Sequence, residues 1–233
     1  MSLITRRFSL ILLVWAIGMA PAAFTAEAVP VDVSAYTSAI KLACVGDSIT
    51  QGAGAEKGKS WPDQIQAMLG KNWSVKNFGV SGSTLLNAGD KPYQKEGAFK
   101  KALEFTPDVV VIMLGTNDTK PQNWAHKDQF TADYQDLIGK FAALSTKPRI
   151  FICYAPYIAG KGNFGITEEN TVAEFPLIDA AAKATKSGII DVHGALMGKD
   201  ALIPDRVHPN NEGMTAIATA VFTGLTGKAP AAK

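Results

Sequence analysis

The segment VVVIMLGTND at residues 109–118 decides the fold class of this chain. Val109–Leu114 is an unbroken apolar run rich in β-branched side chains, a pattern typical of a strand that is buried on both faces of a sheet. Gly115 and the polar residues Thr116–Asp118 follow it. A strand buried on both faces requires helices on both sides, which indicates the α/β class.

Further apolar segments flank this strand and alternate with helical patterns. Short apolar runs predict four more strands, at Lys41–Val45, Trp73–Phe78, Arg149–Tyr154 and Gly188–Val192. Apolar residues at helical spacing predict helices at Trp61–Leu69, Glu96–Phe105, Phe130–Phe141, Thr167–Thr185 and Met214–Leu225. This alternation with right-handed crossovers predicts a doubly wound, three-layer α/β/α sandwich with a five-stranded parallel, flavodoxin-like sheet.

Polar, glycine-containing blocks follow the first three strands, where folds of this class bind their ligands. The blocks are Gly46–Thr50, Asn77–Gly82 and Gly115–Asp118, and a fourth block, Asp205–Asn210, precedes the last helix. Each block alone is a common turn sequence. All four in this order, each at its expected place in an α/β sheet, indicate a single functional site.

On these blocks the sequence resembles the SGNH hydrolases, also called GDSL esterases or lipases. The four residues that define the family's blocks match Ser48, Gly82, Asn117 and His208, and the family aspartate, three residues before the histidine, matches Asp205. The resemblance extends from about Lys41 to Leu225. The sequence around Gly115–Trp124 most resembles that of small bacterial carbohydrate esterases, including sialate O-acetylesterase-like modules.

The resemblance implies ester hydrolysis by a Ser-His-Asp triad, which needs no cofactor and no metal. A serine hydroxyl is a weak nucleophile until a base takes its proton, so Ser48 would be activated by His208. Asp205 would accept the other imidazole N–H and hold the useful tautomer. The oxyanion would be held by the N–H groups of Ser48 and Gly82 and by the side-chain amide of Asn117.

Several alternatives within this site stay open at the level of sequence. Gly79 competes with Gly82 for the oxyanion role, and Asp191 with His193 forms a rival acid–base pair at the end of a strand. We expect His193 to be structural and His126 to be solvated.

Substrate-binding residues are less clearly marked than the reactive ones. The candidates are Asp47, Trp124 and Tyr157, although Asp47 also suits a structural role in its loop. The scattered lysines Lys120, Lys127 and Lys161 favour a solvated surface over a site for acidic substrates.

The N-terminal residues have the layout of a secretory signal peptide. Arg6 and Arg7 precede an apolar run at Phe8–Ala20, and Ala26–Ala28 offers an A-x-A cleavage site. We therefore expect a signal peptide at residues 1–28, a hydrolase domain at 29–226 and a disordered tail at 227–233, in a periplasmic or secreted protein. A retained N-terminal anchor is the alternative. No second apolar run is long enough to predict a membrane span after cleavage.

Composition excludes several other classes of protein. Hydrophobic residues make up 47% of the 233 residues, enough for the core of one domain, and a net charge of +2 gives no footprint for nucleic acid. Cys44 and Cys153 have no metal-ligand spacing, and they belong to predicted strands that are not neighbours. We expect two buried free thiols.

Together these features predict a serine esterase for short acyl esters, most simply acetate on carbohydrates, that acts through an acyl-enzyme. The predicted partner is an acetylated sugar or glycan. Lysophospholipase, thioesterase and arylesterase activity remain alternatives with the same machinery. A non-catalytic carbohydrate-binding protein is a second alternative, which an intact triad disfavours. A nucleotide binder is disfavoured because Gly46–Thr50 lacks a phosphate-binding pattern.

Overall fold

Five parallel strands form one sheet in the computed structural model, which describes residues 28–231. The strands are β1 (Ile40–Gly46), β2 (Trp73–Gly79), β3 (Val109–Met113), β4 (Arg149–Cys153) and β5 (Gly188–Ile190). Their order is β2-β1-β3-β4-β5, and every neighbouring pair is parallel. The predicted α/β fold with a five-stranded parallel sheet is confirmed.

Helices cover both faces of the sheet. They are α1 (Ser48–Gln51), α2 (Trp61–Leu69), α3 (Gly97–Glu104), α4 (Pro121–Trp124), α5 (Phe130–Ala142), α6 (Glu168–Ala173), α7 (Phe175–Thr185), α8 (Val192–Leu196) and α9 (Asn211–Thr226). Val109, Val111 and Met113 of β3 pack in the core beneath α2, α8 and α9, whereas Val110 and Ile112 pack beneath α3, α5 and α7. This alternation explains the unbroken apolar sequence of β3, because each side chain faces a layer of helices.

Two predicted elements are wrong in their extent. The helix expected over Thr167–Thr185 is divided at Glu174, because Pro176 has no N–H to continue a helical hydrogen-bond ladder and lies instead in the first turn of α7. The fifth strand ends at Ile190 and not at Val192. Asp191 leaves the strand to cap α8, where its side chain accepts a hydrogen bond from the Gly194 N–H at 2.7 Å.

The sheet separates the two cysteines and has short or polar edges. Cys44 on β1 and Cys153 on β4 lie on either side of β3, and both are buried free thiols, as predicted. At one edge, β5 is three residues long. At the other edge, β2 exposes Lys76 and Asn77.

Residues next to the predicted cleavage site belong to the folded domain. The Val31 N–H donates to the Leu225 carbonyl at 2.8 Å, and the Arg149 guanidinium donates to the Val29 carbonyl at 2.8 Å. The predicted signal peptide lies outside the described residues except for Ala28. The predicted tail is described only as far as residue 231, and its disorder stays a prediction. Within residues 28–231, no helix is both long and apolar enough to cross a membrane.

Candidate active site

The order of the strands brings three of the sequence blocks together at one end of the sheet, where the carboxyl ends of the strands lie. Strand β1 lies between β2 and β3, and Gly46 at its end pairs with Gly79 and Met113. Ser48 follows as the first residue of α1, with 9% of its surface exposed. Asp47 caps this short helix by accepting a hydrogen bond from the Ile49 N–H at 2.9 Å. The local sequence thus turns the chain sharply and presents the Ser48 hydroxyl at the end of the strand.

A continuous chain of hydrogen bonds joins Ser48, His208 and Asp205. The Ser48 Oγ lies 2.9 Å from the His208 Nε2, and the His208 Nδ1 lies 2.6 Å from the Asp205 Oδ2. An imidazole whose Nδ1–H donates to Asp205 has a free lone pair on Nε2 for the serine proton. The structure therefore brings together the three residues that the sequence predicted for the triad.

The turn that contains Asp205 fixes its carboxylate. The Asp205 Oδ1 accepts from the N–H groups of Val207 at 2.9 Å and His208 at 2.6 Å, while Oδ2 faces the imidazole. Partial burial favours the neutral acid, but these hydrogen bonds outweigh burial and hold the pKa of Asp205 below its usual value. Asp205 is therefore an anion that can stabilise a positive charge on His208.

The predicted oxyanion donors face the same cavity as Ser48. Gly82, with φ +80°, and Asn117 both line it, and the Ser48 N–H is among the first N–H groups of α1, which have no partner within a helix. Gly79 lies elsewhere, at the end of β2. A Cβ there would approach the backbone nitrogen of Gln51 to 2.3 Å, so this glycine permits close contact with α1.

The cavity beside Ser48 has a volume of about 260 Å³. Its wall combines small residues with a few apolar and polar side chains contributed by all four sequence blocks and by the loop after β4. The lining residues are Ser48, Ala53, Ser81, Gly82, Thr116, Asn117, Lys120, Phe164, Ile166, Val207 and His208.

The three predicted substrate-binding residues do not line this cavity. Asp47 is 1% exposed, and its carboxylate accepts from the Ile49 N–H at 2.9 Å and from the Asn117 Nδ2 at 3.4 Å. Trp124 lies beneath the Lys127 ammonium, and the Tyr157 hydroxyl donates to Asp200 at 3.1 Å. Sequence reasoning chose these two aromatic residues because they follow strands, but neither belongs to the wall of the cavity beside Ser48.

The rival acid–base pair does not form. His193 is on α8 and its Nε2 lies 2.7 Å from Glu168, while Asp191 caps the same helix. His193 is 6% exposed and packs edge-to-face against Phe175, which fits the structural role expected for it. His126 is exposed, as expected for a solvated residue.

Sequence reasoning missed Phe164, Ile166 and the position of Lys120 in the cavity wall. Phe164 and Ile166 belong to the glycine-rich run Gly160–Ile166 in the loop after β4. That run follows the carboxyl end of a strand and contains an aromatic residue between turn-forming residues. This combination was the available signal.

Three acidic side chains are buried beneath the site. Burial raises the pKa of Asp47 to about 6 and that of Asp118 to about 7, even though backbone N–H groups donate to both. Asp118 accepts from Leu85 and Leu86 and so joins the loop after β2 to the loop after β3. Burial, together with the charges of the other two acids, raises the pKa of Glu174 well above its ordinary value, and no group of residues 28–231 forms a hydrogen bond with its carboxyl oxygens.

In residues 28–231, no group of three or more His, Cys, Asp or Glu side chains is arranged to hold a metal ion.

Comparison with known proteins gives a consistent set of relatives. Residues 44–216 match the model of the GDSL-like lipase/acylhydrolase family. An acetylxylan esterase from Xylanibacter ruminicola is 38% identical over 208 residues, which cover 80% of this chain and 43% of that protein, so the chain spans about two fifths of its length.

Two solved structures share the fold. A carbohydrate acetylesterase from Sinorhizobium meliloti superposes with a TM-score of 0.64 at 21% identity, covering 78% of this chain and 96% of that one. An acetylxylan esterase from Geobacillus stearothermophilus gives 0.63 at 22% identity, covering 80% and 94%.

We expect Glu174→Gln to stabilise the protein selectively at high pH. Because the folded state raises the pKa of Glu174, it retains a proton that the unfolded chain releases. Stability is thus lost as pH rises from the unfolded value of about 4.5 toward the folded pKa, and glutamine has no such loss. One pKa unit corresponds to about 1.4 kcal/mol, and about 1 kcal/mol shifts Tm by roughly 2–4 °C.

The measurement is thermal unfolding of the wild type and the variant between pH 5 and pH 9. The Tm of Glu174→Gln relative to wild type should rise by about 3 °C or more over this range. Glu169→Gln, on an exposed residue of α6, is the matched control. Parallel pH curves for wild type and Glu174→Gln would contradict the prediction.

Proposed function

The chain belongs to the GDSL-like lipase/acylhydrolase family, and from that premise we propose that it is a serine ester hydrolase that removes acetyl groups from carbohydrates through an acyl-enzyme. The observation that carries the proposal is the hydrogen-bonded chain from Ser48 through His208 to Asp205, which opens into a cavity of about 260 Å³.

In the first half of the reaction, Ser48 attacks the ester carbonyl. The His208 Nε2, 2.9 Å from the Ser48 Oγ, takes the hydroxyl proton as the new C–O bond forms. The imidazolium is stabilised by Asp205, and it then gives its proton to the departing sugar oxygen. The bond between the acetyl carbon and the sugar oxygen breaks, the sugar leaves as an alcohol, and the acetyl group remains as an ester on Ser48.

Charge that develops on the carbonyl oxygen requires fixed donors. The N–H groups of Ser48 and Gly82 and the Asn117 side-chain amide supply them. Asn117 is held in place: its Nδ2 donates to the Ser83 carbonyl at 3.1 Å and to the Asp47 carboxylate at 3.4 Å, and its main-chain carbonyl accepts from the Asn123 Nδ2 at 2.8 Å. The contact with Asp47 is the longer of the two, so this N–H is the one that would turn to the oxyanion, while the bond to Ser83 keeps the amide in position.

In the second half, water replaces the sugar. His208 takes a proton from water as the water oxygen attacks the acetyl carbon, and the Ser48 oxygen leaves with a proton returned by His208. The products are acetate and the free serine.

The size and lining of the cavity favour a short acyl group. Its volume is below the range of about 300–1,000 Å³ that is usual for drug-sized ligands, and the small side chains Ala53 and Ser81 line it. The likeness to an acetylxylan esterase supports a carbohydrate as the alcohol.

We propose export as well, on the basis of the N-terminal sequence. Cleavage after Ala28 would leave Val29 at the N-terminus, and its carbonyl is bound by Arg149. Mass spectrometry of the protein isolated from its host should give the mass of residues 29–233. A mass that includes residues 1–28 would overturn cleavage and favour the retained anchor.

Acyl-chain preference tests the proposed activity. We expect residues 29–233 to hydrolyse p-nitrophenyl acetate faster than the butyrate and octanoate esters, because the cavity of about 260 Å³ has to hold the acyl group together with part of the alcohol. The same protein should release acetate from acetylated xylooligosaccharides. Ser48→Ala should lose about 10³-fold or more of both activities while keeping its Tm. Preference for long chains would move the assignment to lipid esters, and equal activity in Ser48→Ala would refute it.

Asn117→Ala tests the oxyanion donor. Loss of one such donor lowers kcat by about 10²–10³, and we expect this fall in steady-state assays on acetate esters. The control is Asn72→Ala. Asn72 is exposed and precedes β2, so it lies at the amino end of the strands, opposite to the site. Near-wild-type kcat in Asn117→Ala would remove Asn117 from the oxyanion role.

A further inference from the structure

An exposed aromatic ring stands at the mouth of the cavity. Within residues 28–231, Phe164 is the one aromatic among the large apolar side chains left exposed, with 56% of its surface accessible. Its ring lies 5.7 Å from the imidazole of His208, and it forms part of the cavity wall. Because this ring lies outside the core, burial in the core does not account for an apolar residue at this position. The ring also takes no part in the hydrogen bonds of the triad.

A short hairpin holds this ring in place. The backbone of Asn163 and Ile166 forms a closed pair, with N–H···O distances of 3.2 and 2.8 Å, and the Asn163 side chain accepts from the Phe164 N–H at 2.8 Å. Ile166, only 3% exposed, packs on Ile158 and Val207 beneath the hairpin. Phe164 has φ +55°, an unfavourable conformation for a bulky residue that persists because the surrounding contacts fix it.

The hairpin is joined to the catalytic turn by the backbone. The Asn163 Nδ2 donates to the carbonyl of Asp205 at 3.0 Å, and the Ala159 N–H donates to the carbonyl of Arg206 at 3.0 Å. The position of the Phe164 ring relative to His208 is therefore set by these hydrogen bonds. The carboxylate of Asp205 is bound by the N–H groups of Val207 and His208 and by the imidazole. Removal of the Phe164 ring therefore leaves the hydrogen bonds of the triad intact.

The position of the Phe164 ring in the cavity indicates which part of the substrate the ring contacts. His208 gives its proton to the leaving alcohol, whereas Gly82 and Asn117 face the carbonyl oxygen. A ring beside His208 thus lies near the alcohol. The C–H groups of a pyranose ring form a flat apolar face, and the π-face of an aromatic ring carries the negative potential that such C–H groups favour.

We propose that Phe164 is the platform on which the pyranose ring bearing the acetyl ester stacks, a binding subsite for the alcohol part of the substrate. This rests on the proposed function. It assigns sugar recognition to the loop after β4, apart from the residues that hold the acyl group and the oxyanion.

The test compares a sugar ester with an ester whose alcohol is too small to reach the ring. Acetate release is measured from acetylated xylooligosaccharides and from ethyl acetate, with kcat and KM determined separately. Phe164→Asn removes the ring and keeps a residue that tolerates left-handed backbone. Phe164→Tyr restores an aromatic face, and Met197→Ala, 62% exposed and outside the cavity wall, is the control.

We expect Phe164→Asn to raise KM for the oligosaccharide by about 5- to 10-fold, as loss of one aromatic contact implies, with kcat and ethyl acetate hydrolysis changed less than about twofold. Phe164→Tyr should behave as wild type. Equal loss on both esters would overturn the platform, because the ring would then act on His208. An unchanged KM would overturn it too. Wild type that cleaves ethyl acetate but not the oligosaccharide would refute the proposed function itself, along with the platform.

Discussion

The position of β1 between β2 and β3 is the constraint on which the site depends. The carboxyl ends of parallel strands lie at the same end of the sheet, so the residues after these three strands become neighbours although they lie far apart in sequence. Ser48, Gly82 and Asn117 meet for this reason. His208 is 160 residues from Ser48 and belongs to a turn outside the sheet. Hydrogen bonds from the loop after β4 hold this turn in place.

The parts of the molecule that could be predicted from sequence are those with a local or periodic cause. Buried strands such as β3 are apolar because both faces are covered, and Asp205 and His208 are close because three residues separate them. The break at Glu174 and the early end of β5 depend on Pro176 and on a cap at Asp191, which a periodic pattern conceals. Phe164 and Glu174 could not be assigned, because tertiary contacts alone determine that the first is exposed at the cavity and the second is buried.

The buried acids show that the site has an energetic cost. Asp47 and Asp118 accept backbone hydrogen bonds that order the loops around Ser48, which offsets part of the cost of burying them. Glu174 has no such compensation from the part of the chain that the structure describes. Glu174 lies beside Gly115, at the start of the loop that carries Asn117, so this unfavourable burial is next to a part of the chain that must be ordered for the site. This arrangement is consistent with the general conflict between stability and function in enzymes.

The edges of the sheet have a consequence for self-association. An exposed strand edge can pair with the edge of another molecule and start aggregation. Here β5 offers only three residues, and β2 carries Lys76 and Asn77 toward solvent. A second chain that added to either edge would gain few main-chain hydrogen bonds or would have to accommodate a lysine charge. Among the described residues, β5 is thus too short to act as a template for cross-β stacking, and the seven-residue β2 has main-chain groups already occupied, because the Gln66 side chain binds the Val75 N–H at 2.8 Å and the Trp73 carbonyl at 3.1 Å.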